Sequence, residues 1–216
     1  IYVFNKDILY KLLNDVHAKA TDFGKEIIPD SIEHYKVLSY QYDGYWTDIG
    51  NIYSFFEANI ALTEAIPPFN LFDSAQTIYT RPRMLPPAKI SGTLIDRAII
   101  AEGSIIHAAS VTQSVIGIRS RIGKDTVVKN VYIMGCDYYE TIDQINEKIQ
   151  AGKPILGIGE RCVIEDAIVD KNCSIGNDVV IRGGAHLEKT DHPLYTIKDN
   201  IVVIKKGAVI PNGFVI

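Results

Sequence analysis

The residue of the chain that most suggests chemistry is a single carboxylate that follows an aromatic pair. Asp48 lies in the stretch Tyr45–Gly50, directly before a segment with helical periodicity. Loops at strand-to-helix junctions commonly form the sites of α/β proteins. The same position also suits a helix N-cap, which is the alternative interpretation of Asp48. The residues alone do not separate the two interpretations.

Other residue types that often carry chemistry lack a matching pattern. The three cysteines, Cys136, Cys162 and Cys173, form no CxxC pair and have no metal-ligand spacing, so a disulfide framework is not expected and a reducing compartment fits best. No GxxxxGK[ST] or GxGxxG phosphate-binding loop occurs. His107 has no acyltransferase signature beside it and is interpreted as a surface or packed histidine.

Composition narrows the class of protein further. The chain has 216 residues, of which 47% are hydrophobic, so it can bury a substantial core. Its 26 acidic residues exceed its 22 basic residues, which disfavours nucleic acid or an anionic membrane as the main partner. The chain opens on Ile-Tyr-Val-Phe, with no initiator Met and no signal peptide, so we expect residue 1 to lie within a longer polypeptide.

The first 65 residues have the pattern of an α/β segment. Strands are predicted at Ile1–Phe4 and Tyr35–Tyr40 from their β-branched and aromatic content. Asn5 or Asp7 can cap a first helix with apolar residues at helical spacing, and Asn51 can cap a second. The sequence therefore predicts the C-terminal part of an α/β domain over residues 1–65.

A proline-rich stretch follows at residues 66–89. Proline hinders both regular helix and interior strand, so this stretch is predicted to be an extended linker. It holds five of the nine prolines of the chain: Pro67, Pro68, Pro82, Pro86 and Pro87.

From residue 90 onward, apolar residues recur every six positions. A repeat this short is typical of parallel strands stacked into a solenoid, so a hexapeptide β-helix is predicted over residues 90–216. The repeating positions are Ile116, Ile122 and Val128, then Val163, Val169, Ile175 and Ile181, and finally Ile204, Ile210 and Ile216.

The repeat is interrupted once. Its register slips between Ile158 and Val163, and the stretch Gly135–Gly157 does not follow it. Three isoleucines within that stretch, at 142, 145 and 149, predict a short amphipathic helix that projects from the solenoid. Cys162 and Cys173 fall at apolar or small positions of the repeat and are predicted to fill the core.

Several short motifs, in order along the chain, resemble the glucose-1-phosphate adenylyltransferase (ADP-glucose pyrophosphorylase) family, and its cyanobacterial and plant branch in particular. They are Asp22–Pro29, Tyr45–Gly50, Tyr79–Arg83, Met134–Glu140 and Val169–Asn172. The resemblance implies a mainly β fold, with a left-handed parallel β-helix after the end of a nucleotidyltransferase domain. The Gly-rich nucleotide loop and the N-terminal catalytic Lys and Arg of the family have no counterpart here, so we expect this chain to be inactive by itself.

The resemblance implies that the parent enzyme makes ADP-glucose and pyrophosphate from ATP and glucose 1-phosphate, for glycogen or starch synthesis. Asp48 matches the family's catalytic and metal-binding aspartate, which would hold Mg²⁺. Asp22, Phe23 and Lys25 match a turn of its sugar site, although Asp22 can equally cap a turn and Lys25 can be a solvated cation. Trp46 is expected to pack beside the sugar pocket.

The same family is controlled by phosphorylated effectors such as 3-phosphoglycerate, fructose 1,6-bisphosphate or AMP. Lys171 and Lys206 match its activator lysines, and Arg81 and Arg83 match a neighbouring anion-binding segment, with Arg81 standing where the plant-like sequences have Gln. Lys205 leaves the assignment of Lys206 open by one residue. Each of these cations alone would be a solvated surface residue, because an exposed phosphate site needs several cations that converge.

Two alternatives to this function remain open: another hexose-1-phosphate nucleotidyltransferase, such as one that uses GTP and mannose 1-phosphate, and a non-catalytic effector-binding or structural module. The resemblance implies a homo- or hetero-tetramer in the bacterial cytoplasm or a plastid. Nucleic acid and membrane partners are not expected.

Overall fold

A computed structural model describes all 216 residues, which form two compact units, Ile1–Gly44 and Tyr45–Ile216. The first unit contains two helical stretches, each made of an α-helix and a π-helical turn. Helix α1 (Lys6–Lys11) is capped by Asn5, whose side-chain oxygen accepts a hydrogen bond from the Asp7 amide at 3.0 Å, and it runs on into a π-helical turn. A second π-helical turn at Phe23–Ile27 continues into helix α2 (Ile28–His34), which sequence analysis did not predict.

Neither of the strands predicted in this first unit forms. Ile1–Phe4 and Tyr35–Tyr40 pair with no other segment of the chain. A strand is stable only when its backbone groups pair with a neighbour, and this chain provides no neighbour for either segment. Apolar residues such as Val3 and Leu38 are consequently exposed, at 96% and 77%.

Helix α3 (Ile52–Ile60) belongs to the second unit. Its cap is Asn51, as predicted, whose side-chain oxygen accepts from the Ser54 amide at 2.8 Å. Phe56 and Ile60 are buried in a cluster with two residues of the solenoid, Ile168 and Ile201. The helix is thereby held against one face of the solenoid. The predicted domain boundaries after residues 65 and 89 rest on sequence alone and stay predictions.

Between Glu64 and Ala88 the chain forms neither helix nor strand. The solenoid then follows, built almost entirely from parallel strands, and the predicted mainly β fold is confirmed. Its strands are β1 (Lys89–Ile90), β2 (Leu94–Ile100), β3 (Ile105–Ile106), β4 (Ser110–Ile116), β5 (Arg121–Ile122), β6 (Val127–Ile133), β7 (Gly157–Ile158), β8 (Val163–Val169), β9 (Ser174–Ile175), β10 (Val180–Arg182), β11 (Thr190–Asp191), β12 (Tyr195–Lys198), β13 (Ile201–Ile204) and β14 (Val209–Ile210).

The strands stack in two series. Six two-residue strands form one sheet in the order β1-β3-β5-β7-β9-β14. The second sheet has the order β11-β12-β13-β8-β6-β4-β2, and β10 also pairs with β8. The β11–β12–β13 meander is the only antiparallel part of the second sheet. Each of the seven-residue strands β2, β4, β6 and β8 has a residue with positive φ at its centre, which bends the strand into two sides of the coil. These residues are Arg97, Gln113, Asn130 and Asp166.

Inward-facing side chains form one continuous core along the solenoid. Most residues of the predicted hexads are fully buried in it, and so are Cys162 and Cys173. One position was wrong: Val163 faces outward, and its neighbour Ile164 is buried and stacks between Val128 and Ile181. The register therefore does not slip before Val163. Instead, the bent strands place their inward residues five apart, which a strict period of six cannot reproduce.

The predicted amphipathic helix is present as α4 (Ile142–Gln150), and it has no buried residue. A capping box fixes its start, since Thr141 and Gln144 each bond the other's backbone amide. The helix therefore projects from the solenoid, as expected. None of the four α-helices combines the length and the apolar character that crossing a membrane requires.

Candidate functional site

The loop that carries Asp48 is extended and exposed throughout Tyr45–Gly50. Since Asn51 caps helix α3, the capping alternative for Asp48 is not realised, and its carboxylate makes no hydrogen bond within the chain. The residues of the chain contain no cluster of three or more His, Cys, Asp or Glu that could hold a metal ion. Asp48 thus offers one free carboxylate rather than a complete metal cage.

Trp46 lies two residues earlier in the same loop. Its side chain is 65% exposed, so it is not packed in the core of its unit. Both Trp46 and Asp48 are therefore available for contact with molecules outside this unit.

The turn at Asp22 is in the first unit and is organised by local hydrogen bonds. The Asp22 Oδ1 atom accepts from the backbone amides of Gly24 and Lys25 at 2.8 and 3.0 Å, and Glu26 accepts in return from the Asp22 amide. Asp22 therefore caps a turn, as one interpretation proposed. Lys25 is exposed and makes no ion pair within the chain, which leaves its charge free for a ligand.

Phe23 of the same turn has a packing role. Its ring lies 6.1 Å from the ring of Tyr2 and 5.7 Å from that of Phe4, measured between centroids. The three rings form a small aromatic cluster that holds the turn against the start of the chain.

Arg81 and Arg83 lie in the extended segment before the solenoid. Both are exposed, and Arg83 donates a hydrogen bond to the Arg81 carbonyl oxygen at 3.2 Å. Neither has an acidic partner within ion-pair distance, so both positive charges are free for a ligand.

Lys171 and Lys206 do come together, at a corner of the solenoid where successive coils stack. The Gly207 amide donates to the Lys171 carbonyl oxygen at 2.9 Å, which places Lys206 on the coil next to Lys171. The Lys171 Nζ atom donates to an Asp137 carboxylate oxygen at 2.7 Å, and the Asn172 side chain donates to the other at 3.0 Å. We call these four residues, Asp137, Lys171, Asn172 and Lys206, the lysine corner.

The neighbouring donors and positive charges act on the Asp137 carboxyl. The hydrogen bonds from Lys171 and Asn172, together with the positive charges of Lys171 and Lys206, lower the pKa of Asp137. Lys206 itself makes no ion pair. Lys205 instead points elsewhere and donates to Asp191 at 2.6 Å. Of the two adjacent lysines, Lys206 is therefore the one whose charge belongs to this corner.

Asp137 is the member of the corner that sequence reasoning missed. It lies in the recognised stretch Met134–Glu140, at the start of the interruption of the repeat, and is 34 positions from Lys171 along the chain. The backbone contact between Asn172 and Gly135, at 3.2 Å, brings the two segments into adjacent coils. Only the register of the coils on either side of the interruption could have revealed this neighbour.

Two family models match the chain. Residues 1–65 match the model described as Nucleotidyl transferase, and residues 83–215 match the GLGC left-handed parallel beta-helix domain. The second match confirms the handedness that the resemblance implied. Because it covers more than half of the 216 residues, the chain belongs to the nucleotidyltransferase family whose left-handed parallel β-helix is of the GLGC type.

Proposed function

We propose that this chain is part of a glucose-1-phosphate adenylyltransferase, in which it supplies one edge of the active site and a regulatory anion site. The observation that carries the proposal is the joining of nucleotidyltransferase sequence to a GLGC-type β-helix in one chain. The motifs Tyr45–Gly50 and Val169–Asn172, which resemble that family, support the choice of ADP-glucose as the product.

In the proposed reaction, an oxygen of the glucose 1-phosphate phosphate group attacks the α-phosphorus of ATP in line. A new P–O bond forms, the bond between the α-phosphorus and the bridging oxygen breaks, and pyrophosphate leaves with that oxygen and its negative charge. Because two anions must meet, catalysis depends on their placement and on groups that offset charge.

Asp48 would hold Mg²⁺ for this reaction. Mg²⁺ commonly takes one or two protein carboxylates and completes its shell with substrate phosphates and water, so a lone exposed carboxylate fits it. The free oxygens of Asp48 and the lack of a larger acidic cluster agree with such a site. When bound, the ion would offset negative charge on the phosphates.

Lys25 and Trp46 are the substrate-site candidates with free side chains. The Asp22 Oδ1 atom accepts backbone hydrogen bonds within the turn, and Phe23 packs on Tyr2. We therefore propose that these two residues position Lys25 for the substrate. The Lys25 ammonium would then contact an anionic or hydroxyl group of the sugar phosphate.

For regulation, we propose that a phosphorylated effector binds at the lysine corner through Lys171 and Lys206. Both cations lie on stacked coils of the solenoid, so little backbone freedom is lost on binding. Arg81 and Arg83, which lie free in the extended segment, would add charge to the same ligand.

The test is product analysis with the full natural polypeptide that carries this chain. Incubated with Mg²⁺, ATP and glucose 1-phosphate, it should release pyrophosphate and ADP-glucose, identified by mass spectrometry. The 216-residue chain alone should release neither. Turnover of GTP with mannose 1-phosphate in place of this pair would assign the chain to a different nucleotidyltransferase. Absence of turnover with every pair, together with effector binding, would identify a non-catalytic module.

A further inference from the structure

A cleft of about 630 Å³ lies between the end of the projecting helix α4 and the stacked coils of the solenoid. One wall is the segment Ile149–Ile155 at the end of α4, and the floor is a column of stacked corners at Gly123, Gly159 and Gly176. The cleft falls within the range of 300–1,000 Å³ that is typical of small-molecule sites.

The glycines of the floor leave it bare. A Cβ atom on Gly123 would lie 2.5 Å from the backbone of Gly159, and one on Gly159 would lie 2.4 Å from the carbonyl oxygen of Gly176. The coils can stack this closely only without side chains. The stacked corners of the floor are therefore a fixed feature of the solenoid.

Three cations line the cleft without an acidic partner: Arg121, Lys124 and Lys153. The one acid among the lining residues is Glu160, which lies beside Asp178 of the next coil. A single arginine holds both of these, since Arg161 donates to Asp178 at 2.7 and 2.9 Å and to Glu160 at 3.1 Å. One guanidinium balances only one of these two carboxylates, so Arg161, Glu160 and Asp178 together keep a single negative charge. The three lining cations exceed it, and the cleft keeps a net positive charge.

Two asparagines add neutral donors to the floor. The side-chain oxygen of Asn177 accepts from the Glu160 amide at 2.9 Å, and that of Asn212 accepts from the Asn177 amide at 2.8 Å. These bonds fix the orientation of both amide groups. Their NH₂ groups have no acceptor in the chain, so they remain free to donate to a ligand in the cleft.

We infer that this cleft binds the phosphate group of a small phosphate ester. Arg121, Lys124 and Lys153 line the same cleft, and cations together with neutral amide donors favour a phosphate dianion. The apolar side chains of Ile149, Pro154 and Ile155 would contact the carbon part of the ester. The site is separate from the lysine corner and does not depend on the proposed function.

Titration of the ¹⁵N-labelled 216-residue chain tests the inference, with inorganic phosphate and phenyl phosphate as the probes. We expect saturable amide shifts at Gly123, Gly152 and Gly176, with tighter binding of phenyl phosphate because of the apolar wall. The double variant Lys124→Ala/Lys153→Ala should raise the dissociation constant by roughly tenfold or more, since it removes two charge-assisted contacts.

A matched control is Lys129→Ala/Lys189→Ala, which removes two exposed lysines outside the cleft and should leave the shifts unchanged. Shifts at Lys171 and Gly207 report the lysine corner separately, so the two sites can succeed or fail independently. Unmoved cleft amides, or equal binding by the cleft variant and the control, would overturn the inference.

Discussion

Two regions of the molecule, the Asp48 loop and the lysine corner, differ in how complete a binding site this chain forms by itself. Asp48 is one unpartnered carboxylate on an extended loop, whereas Lys171 is already fixed by Asp137 at 2.7 Å and neighbours Lys206 through a stacked coil. Stacked coils can converge charges from segments far apart in sequence. A loop of this kind presents one group, and its ligand must supply the rest.

The largest effect should come from a substitution in the Asp48 loop, and it should be on the turnover number. In the full natural polypeptide, Asp48→Asn keeps the size of the side chain but removes the charge that would hold Mg²⁺. We expect the turnover number to fall roughly a hundredfold or more, measured as pyrophosphate release at saturating magnesium. Asp43→Asn, an exposed aspartate five residues earlier, is the matched control and should be near normal. Normal turnover of Asp48→Asn would remove Asp48 from the metal site.

The corner, in contrast, depends on the solenoid core beneath it. Ile164→Ala leaves a cavity in the strand that leads to Lys171, and we expect it to lower the free energy of unfolding by about 2–5 kcal/mol. Val163→Ala, at the neighbouring outward position, should cost less than about 1 kcal/mol. Chemical denaturation of the 216-residue chain measures both. Equal losses would mean that the inward register assigned to Ile164 is wrong.

Removal of the corner lysines should affect regulation and leave the basal rate near normal. With Lys171→Ala/Lys206→Ala, we expect the effector concentration for half-activation to rise by about tenfold or more, because two charge-assisted contacts to the anion are lost. Lys205→Ala is the control, since Lys205 pairs with Asp191 and should not contact the effector. An unchanged activation curve in the double variant would exclude these lysines from the site.

A smaller effect is expected from the acid of the corner. Asp137 forms an ion pair with Lys171, so a bound anion must compete with the Asp137 carboxylate for the Lys171 ammonium. Asp137→Asn should therefore tighten effector binding by a few-fold, in line with the modest strength of exposed ion pairs. Asp125→Asn, on an exposed turn, should change nothing. Weaker binding by Asp137→Asn would show instead that Asp137 orients Lys171 for the anion.

The smallest effect concerns pH. The pKa of Asp137 is lowered, so its ion pair with Lys171 is fully present above the ordinary aspartate pKa of about 3.9 and is lost as the pH falls through the lowered value. Carboxyl NMR titration of Asp137 should give a midpoint below 3.9. In the Lys171→Ala variant the midpoint should rise. A wild-type midpoint at or above the ordinary value would mean that the ion pair does not persist in solution.

Sequence reasoning succeeded best where the chain supplies both partners of an interaction. The hexad period located the solenoid and most of its core because each coil covers the next, and Asn51 was identified as a cap because capping is local. It failed at Ile1–Phe4, since a strand requires a partner that no local pattern guarantees. It also failed at Val163, because bent strands replace six-residue spacing by five.

For the candidate site, too, local patterns were predicted and long-range contacts were missed. The single residues Asp48, Lys171 and Lys206 were named from motifs, but their surroundings were not. Asp137 was missed because its proximity to Lys171 depends on how the coils resume after the α4 interruption. The cleft beside α4 was missed for the same reason, since its cations come from two segments on either side of that helix, at Arg121 and Lys124 and at Lys153.

The most direct test of the account is the initial rate of pyrophosphate release by the full natural polypeptide, with and without 3-phosphoglycerate or fructose 1,6-bisphosphate. The account predicts that Asp48→Asn loses the rate in both conditions, whereas Lys171→Ala/Lys206→Ala keeps the basal rate and loses the response to the effector. A normal rate in Asp48→Asn, or a full response in the double lysine variant, would contradict it.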